Sequence, residues 1–177
     1  MSTDEIFQQM RNDHRRVLGT VGGLEDALVT GSARALSAGD EARLREAFTL
    51  MEEQFSTHMS AEDEVLYPSL LEALPETRVS VDPLSGEHLD LRDMLIRLKA
   101  TLGEPAGPDR DEQIVVQLRD FIDLLRIHIR KEEALVISVA ERVLRQSEVE
   151  LLKARMSRGV RAERHPGPPS GQKGVGS

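Results

Sequence analysis

Apolar residues in this chain recur by alternating threes and fours along four long stretches, the spacing that keeps side chains on one face of a helix. Alternating Val/Ile/Thr runs bounded by turns are nearly absent, so strands are not expected. The first stripe runs Met10, His14, Val17, Val21, Leu24, Leu28. A second follows through Leu44, Phe48, Met51, Phe55, His58, Glu62, Val65 and Ser69. The third is Leu84, His88, Leu91, Leu95, Leu98, Leu102, and the fourth Ile114, Leu118, Phe121, Leu125, His128, Glu132, Leu135, Val139. Four such stripes joined by short links predict an all-α, up-down-up-down four-helix bundle.

Punctuation residues set the expected limits. The first helix should run from about Asp4, behind a Ser2/Thr3 cap, to Thr30, with Gly19, Gly22 and Gly23 weakening its second half. A turn-rich link from Gly31 to Gly39 leads to Asp40 as a cap for a helix reaching about Leu74. The third helix is expected after Asp82–Pro83 and before Gly103, and the fourth from Asp111 to Leu144. A short amphipathic fifth helix spans about 148–156. The bundle thus takes residues 1–156. Residues 157–177, ending HPGPPSGQKGVGS, read as a disordered, basic, Gly/Pro-rich tail.

Composition narrows the chemistry. Without cysteine, disulfides, thiolate metal sites, Fe–S clusters and cysteine nucleophiles are excluded. The net charge is −8, and residues 1–156 alone carry −11, which argues against nucleic-acid binding by the bundle. No apolar run approaches the ~20 residues of a membrane helix, and the polar N-terminus is not expected to act as a signal peptide. A cytoplasmic location without a membrane partner is expected, and the protein partner, if any, is left open.

Six stripe positions are histidine or glutamate: His14, His58, Glu62, His88, His128 and Glu132. His58 and His128 are each followed four residues on by a stripe glutamate, one turn away on the same face. Two buried carboxylates without a Lys or Arg on the stripes would be costly unless cations neutralised them. Four imidazoles and two carboxylates exceed the four ligands of one zinc and suit two metals ~3.5–4 Å apart. A nitrogen and oxygen donor set favours iron or manganese over copper(I). The set is also duplicated: His14 to His88 is a shift of 74, while His58 to His128 and Glu62 to Glu132 are shifts of 70. Two hairpins related by a pseudo-two-fold axis would produce this pattern.

The segments DHRRVL around His14, HMSAEDEVLYP from His58, GEHLDLR around His88 and HIRKEE from His128 resemble the hemerythrin-like (HHE cation-binding) domains over roughly residues 4–145. That resemblance implies two iron ions with an oxo or hydroxo bridge, manganese being the less favoured metal. It further implies His14 and His58 on one iron, His88 and His128 on the other, and Glu62 and Glu132 bridging. Oxygen-carrying hemerythrins have a further third-helix histidine where this chain has Arg92, and His–x–x–x–x–Asp in the fourth helix instead of His–x–x–x–Glu. Both metals would then have open positions, which favours reaction with hydrogen peroxide or O2, including catalase-like disproportionation in oxidative-stress defence. Sensing or binding of O2, nitric oxide or iron is the alternative. Tyr67, nine residues past His58 and half a turn off its face, is expected to pack with its hydroxyl near the surface, a ligand or hydrogen-bonding role being the alternative. Arg92 is expected to snorkel to a surface partner, or else to gate anion access. Asp63, Glu64 and Glu133 are expected on a solvated face.

Overall fold

A computed structural model describes residues 3–30 and 36–162, and every element among them is helical. The first long helix is α1 (Thr3–Thr30). The second combines α2 (Ala38–Ala61), a π-helical turn at Glu62–Leu66 and α3 (Tyr67–Ala73). A 3-10 turn at Pro75–Thr77 leads into α4 (Arg78–Leu102). The fourth combines α5 (Pro108–Glu132), another π-helical turn at Glu133–Ile137 and α6 (Ser138–Val143), and α7 (Gln146–Ala162) follows.

Cross-helix contacts fix the directions. Between the second long helix and α4, Glu52 meets Lys99 and Asp63 meets His88, so rising numbers meet falling ones. Glu25 with Arg126 and His14 with Glu133 make α1 antiparallel to the fourth helix. Arg110 on the Thr101 carbonyl and Glu87 on His128 do the same for α4 and α5. The result is the expected up-down-up-down bundle.

Several ends differ from expectation. The N-cap of α2 is Ser37, whose hydroxyl accepts from the Asp40 N–H while the Asp40 carboxylate takes the Ser37 N–H. Asp40 is therefore the reciprocal partner in a capping box, three residues inside the helix. Helix α4 begins at Arg78, before Pro83, which sits inside it. The proline leaves the Val79 carbonyl without its helix donor, on a turn where Val79 is 82% exposed. The last helix, α7, is 17 residues long and continues to Ala162, past the expected tail boundary at 157. Ser2, residues 31–35 and residues 163–177 lie outside the described residues, as does the side chain of Leu28.

The stripes hold up to the two glutamates and then slip. Beyond Glu62 the buried residues are Leu66, Tyr67 and Leu70, while Val65 and Ser69 are only half-buried. Beyond Glu132 they are Val136, Ile137 and Ala140, and Leu135 is 46% exposed. A π turn closes i→i+5 bonds, such as Tyr67 N–H to the Glu62 carbonyl, and inserts one residue. Every later side chain is displaced by one position around the helix. Both insertions come directly at or after a stripe glutamate.

The buried apolar residues form two clusters. One holds Val17 to Leu24, Leu44 to Met59, Leu91 to Leu102 and Ile114 to Ile129. The other contains Ile6, Phe7, Met10, Leu66, Tyr67, Leu70, Val81, Leu84, Val136, Ile137 and Ala140, closed by Val149 and Leu152 of α7. His14 and His88 fall between the two clusters along their helices, and His58 and His128 at the edge of the first, one residue before Met59 and Ile129. At the far end of the first cluster, buried Arg110 donates to the Thr101 and Leu102 carbonyls and pairs with Glu41 at 2.9 Å. It thereby satisfies the last carbonyls of α4.

Candidate metal centre

All six stripe histidines and glutamates are buried, Glu62, His88 and Glu132 completely. They converge as two histidine pairs. His14 Nε2 and His58 Nε2 lie 2.8 Å apart, and His88 Nε2 and His128 Nε2 3.0 Å apart. Glu62 spans them: Oε1 is 2.6 Å from His58 Nε2, and Oε2 is 3.4 Å from His88 Nε2. Glu132 sends Oε2 between the pairs, 3.2 Å from His14 Nε2 and 3.9 Å from His128 Nε2. One ligand-type atom from each of His14, His58, Glu62 and Glu132 lies within 4.8 Å of the others.

The outer face of these rings is carboxylate-lined. His14 Nδ1 is 3.1 Å from Glu133, His88 Nδ1 is 2.7 Å from Asp63, and His128 Nδ1 is 3.1 Å from Glu87. Asp63 and Glu133 are thus not part of a solvated face; each follows a stripe glutamate and reaches a histidine of the opposite hairpin. Glu64 does remain exposed. Glu87 was given no role by the stripes; its signal is its place beside His88. Arg92 donates to Asp63 Oδ2 at 2.8 Å, so its partner is the carboxylate holding His88 rather than a surface group. Lys131 pairs with Glu87 in the same way.

For Tyr67 the structure shows the alternative, a hydrogen-bonding role, and not a hydroxyl near the surface. Only 2% exposed, its hydroxyl donates to Glu132 Oε1 at 2.8 Å, and its ring stacks on His88 with centroids 5.5 Å apart. Counting at a constant 3.6 residues per turn points Tyr67 away from the site. The residue inserted by the π turn brings it to where the fourth residue after Glu62 would otherwise stand.

A carboxylate on Nδ1 takes that ring proton, leaving the Nε2 lone pair of a neutral imidazole pointing inward. At His88 and His128, where both rings have such a carboxylate, two inward lone pairs 3.0 Å apart repel unless a proton or a cation lies between them. The protonation balance agrees. Burial opposes a charge on His14, yet the facing carboxylates of Glu132 and Glu62 outweigh it and raise its pKa from 6.5 to about 10. Burial likewise opposes charge on His88, but Asp63 and Glu62 raise it. At His128 burial wins and the pKa falls. Burial favours a neutral Glu62, but the charges of His58 and the other imidazoles hold it well below the usual carboxylate range. Burial and the neighbouring carboxylates of Glu132 and Glu62 push Tyr67 upward, so its phenol keeps its proton.

Protein groups alone do not satisfy this interior. Both oxygens of Glu62, Oε2 of Glu132 and Nδ1 of His58 are buried without a hydrogen-bond partner. Glu62 Oε1 is close to His58 Nε2 in distance but not aligned for a hydrogen bond. Buried anionic oxygens facing inward imidazole nitrogens suit cations, so the residues present fit a metal centre.

A helical bundle with a cation-binding His/Glu centre is the class that fold and site define together. The family model for the hemerythrin HHE cation-binding domain matches residues 5–140, and the chain belongs to that family. No curated protein matches it. Among solved structures, it is similar to the crystal structure of a hemerythrin HHE cation-binding domain-containing protein from Mycobacterium kansasii. The two are 21% identical, with 88% of this chain and 87% of that chain covered at a TM-score of 0.59, a likeness of fold. No helix among the described residues is long and apolar enough to cross a membrane.

Proposed function

We propose that the chain holds two iron ions and reacts with hydrogen peroxide or O2, with catalase-like disproportionation of peroxide as its reaction. In this reading His14 and His58 hold one metal, His88 and His128 the other, and Glu62 and Glu132 lie across both. The pairing of the Nε2 atoms and the spanning placement of Glu62 support that assignment. When bound, the iron pair supplies the redox capacity to take two peroxides to O2 and two waters.

The observation that carries the reading is the Tyr67 hydroxyl, a buried proton 2.8 Å from Glu132 Oε1. Reducing peroxide to water consumes protons, and no stripe carboxylate is free to provide them. The peroxide that is oxidised releases the two protons needed, and Tyr67, which keeps its own, offers a fixed O–H donor inside the site, its ring oriented by His88 and its hydroxyl by Glu132. Exclusion of water by the two apolar clusters strengthens these polar contacts.

The test is metal content of the iron-loaded chain followed by O2 evolution on adding peroxide. Two irons per chain with O2 release are expected, and Tyr67→Phe should keep both irons while slowing release roughly 10-fold or more. Two irons without turnover would move the assignment to ligand sensing. A folded chain that takes up no metal would overturn it.

A further inference from the structure

The duplication reaches beyond the six inward residues. The shift of 70 that carries Glu62 onto Glu132 also carries Asp63 onto Glu133, and these two do equivalent work on His88 and His14. The shift of 74 that carries His14 onto His88 carries Asp13 onto Glu87. Here the symmetry breaks. Glu87 Oε2 is 3.1 Å from His128 Nδ1, and Lys131 holds its other oxygen. Asp13 is one methylene shorter, and its Oδ1 lies 3.4 Å from Arg16. His58, the ring Asp13 would serve by symmetry, has a buried Nδ1 with no partner. The position matching Lys131 is Ala61, which offers no cation to hold a carboxylate there.

A carboxylate on Nδ1 fixes the ring and raises the basicity of the opposite nitrogen, and losing it typically weakens metal affinity ~10–100-fold. His88 and His128 both have this support, whereas of His14 and His58 only His14 does. The His58 side chain is also the most open of the four, 10% exposed against 4%, 0% and 3% for His14, His88 and His128. We infer that the two halves of the centre are unequal: the His14/His58 position exchanges its metal readily and the His88/His128 position retains it, because Asp13 stands where a longer carboxylate would hold His58. This rests on the two-metal assignment above.

The experiment loads the full chain with ferrous iron anaerobically, adds excess of a chelator whose ferrous complex is coloured, and follows release. Wild type should give two phases of equal amplitude, one metal each. Asp13→Glu should slow the fast phase ~10-fold or more and leave the slow one unchanged. Glu87→Asp should speed the slow phase and spare the fast one, so the inference stays testable through one variant if the other folds poorly. Two metals leaving wild type in a single phase would overturn the inequality while leaving the two-metal assignment intact. Two phases that Asp13→Glu does not alter would overturn the role of Asp13. A chain binding no iron would overturn the assignment and the inference together.

Discussion

The proton on His14 and the cations proposed for the centre compete for the same inward nitrogen, and this sets opposite pH trends for the metal-free and loaded protein. In the metal-free chain the carboxylates of Glu132 and Glu62 raise His14 from 6.5 to about 10 against burial. A raised folded-state pKa means that the folded chain binds the proton more tightly than the unfolded one. The stabilisation is therefore complete below 6.5 and is lost as pH rises through 10. At about 1.4 kcal/mol per unit the full difference is ~5 kcal/mol, an upper figure because the same carboxylates also face other rings. His88, also raised, adds in the same direction; His128, lowered by burial, acts only below its ordinary value and outside this window. The loaded protein should show no such alkaline loss, and its iron affinity should rise with pH as the His14 proton becomes easier to displace. Urea unfolding of metal-free and loaded protein between pH 6.5 and 10 reads the first effect. Proton release into weakly buffered solution on adding ferrous iron reads the second, with about one proton expected from His14 near neutral pH. Metal-free stability that is flat or rising across the interval, or iron uptake without proton release, would refute the reasoning.

Other outcomes follow from single residues. Glu62→Ala removes both oxygens that span the histidine pairs and should lose at least one metal per chain, measured by metal analysis of folded protein. Leu152→Ala opens a hole where α7 closes the second cluster; a loss of ~2–5 kcal/mol in denaturant unfolding is expected. A Cβ at Gly19 or Gly23, inside α1, would meet nothing within 4 Å. Gly19→Ala and Gly23→Ala should each stabilise by ~0.5–1 kcal/mol in unfolding assays with metal content unchanged.

The bundle and the six inward residues were legible because threes and fours are the signature of a helical face, and histidine or glutamate on such a face is conspicuous. What followed Glu62 and Glu132 was not, because a constant helical period cannot anticipate an inserted residue. A signal was present: the projected stripe ran onto Ser69 while Leu66, Tyr67 and Leu70, all apolar, were left off it. Tyr67 was misplaced for that reason alone. Asp63 and Glu133 look solvent-facing in the sequence because charged neighbours of a buried residue usually are. Their matching places in the duplicated pattern were the available hint that they share a task. Pro83 suggests a helix start because proline suits a first turn; the helix instead begins at Arg78, and Val79, four residues before the proline, lies toward solvent and tolerates the lost bond.

The polar layer between the two apolar clusters also governs how the chain holds together as a cooperative unit. Each cluster packs its own stretch of all four long helices, and the layer between them contributes little apolar contact. Cations gripped from four helices would couple the clusters, so that neither could open without the other. Emptied, the layer leaves partnerless buried oxygens at the joint. The α7 end is then expected to open as a separate unit, exchanging its amide hydrogens in metal-free protein while the distal half stays closed. Metal occupancy in such an architecture would set how many pieces the protein unfolds in, as well as how firmly it is folded.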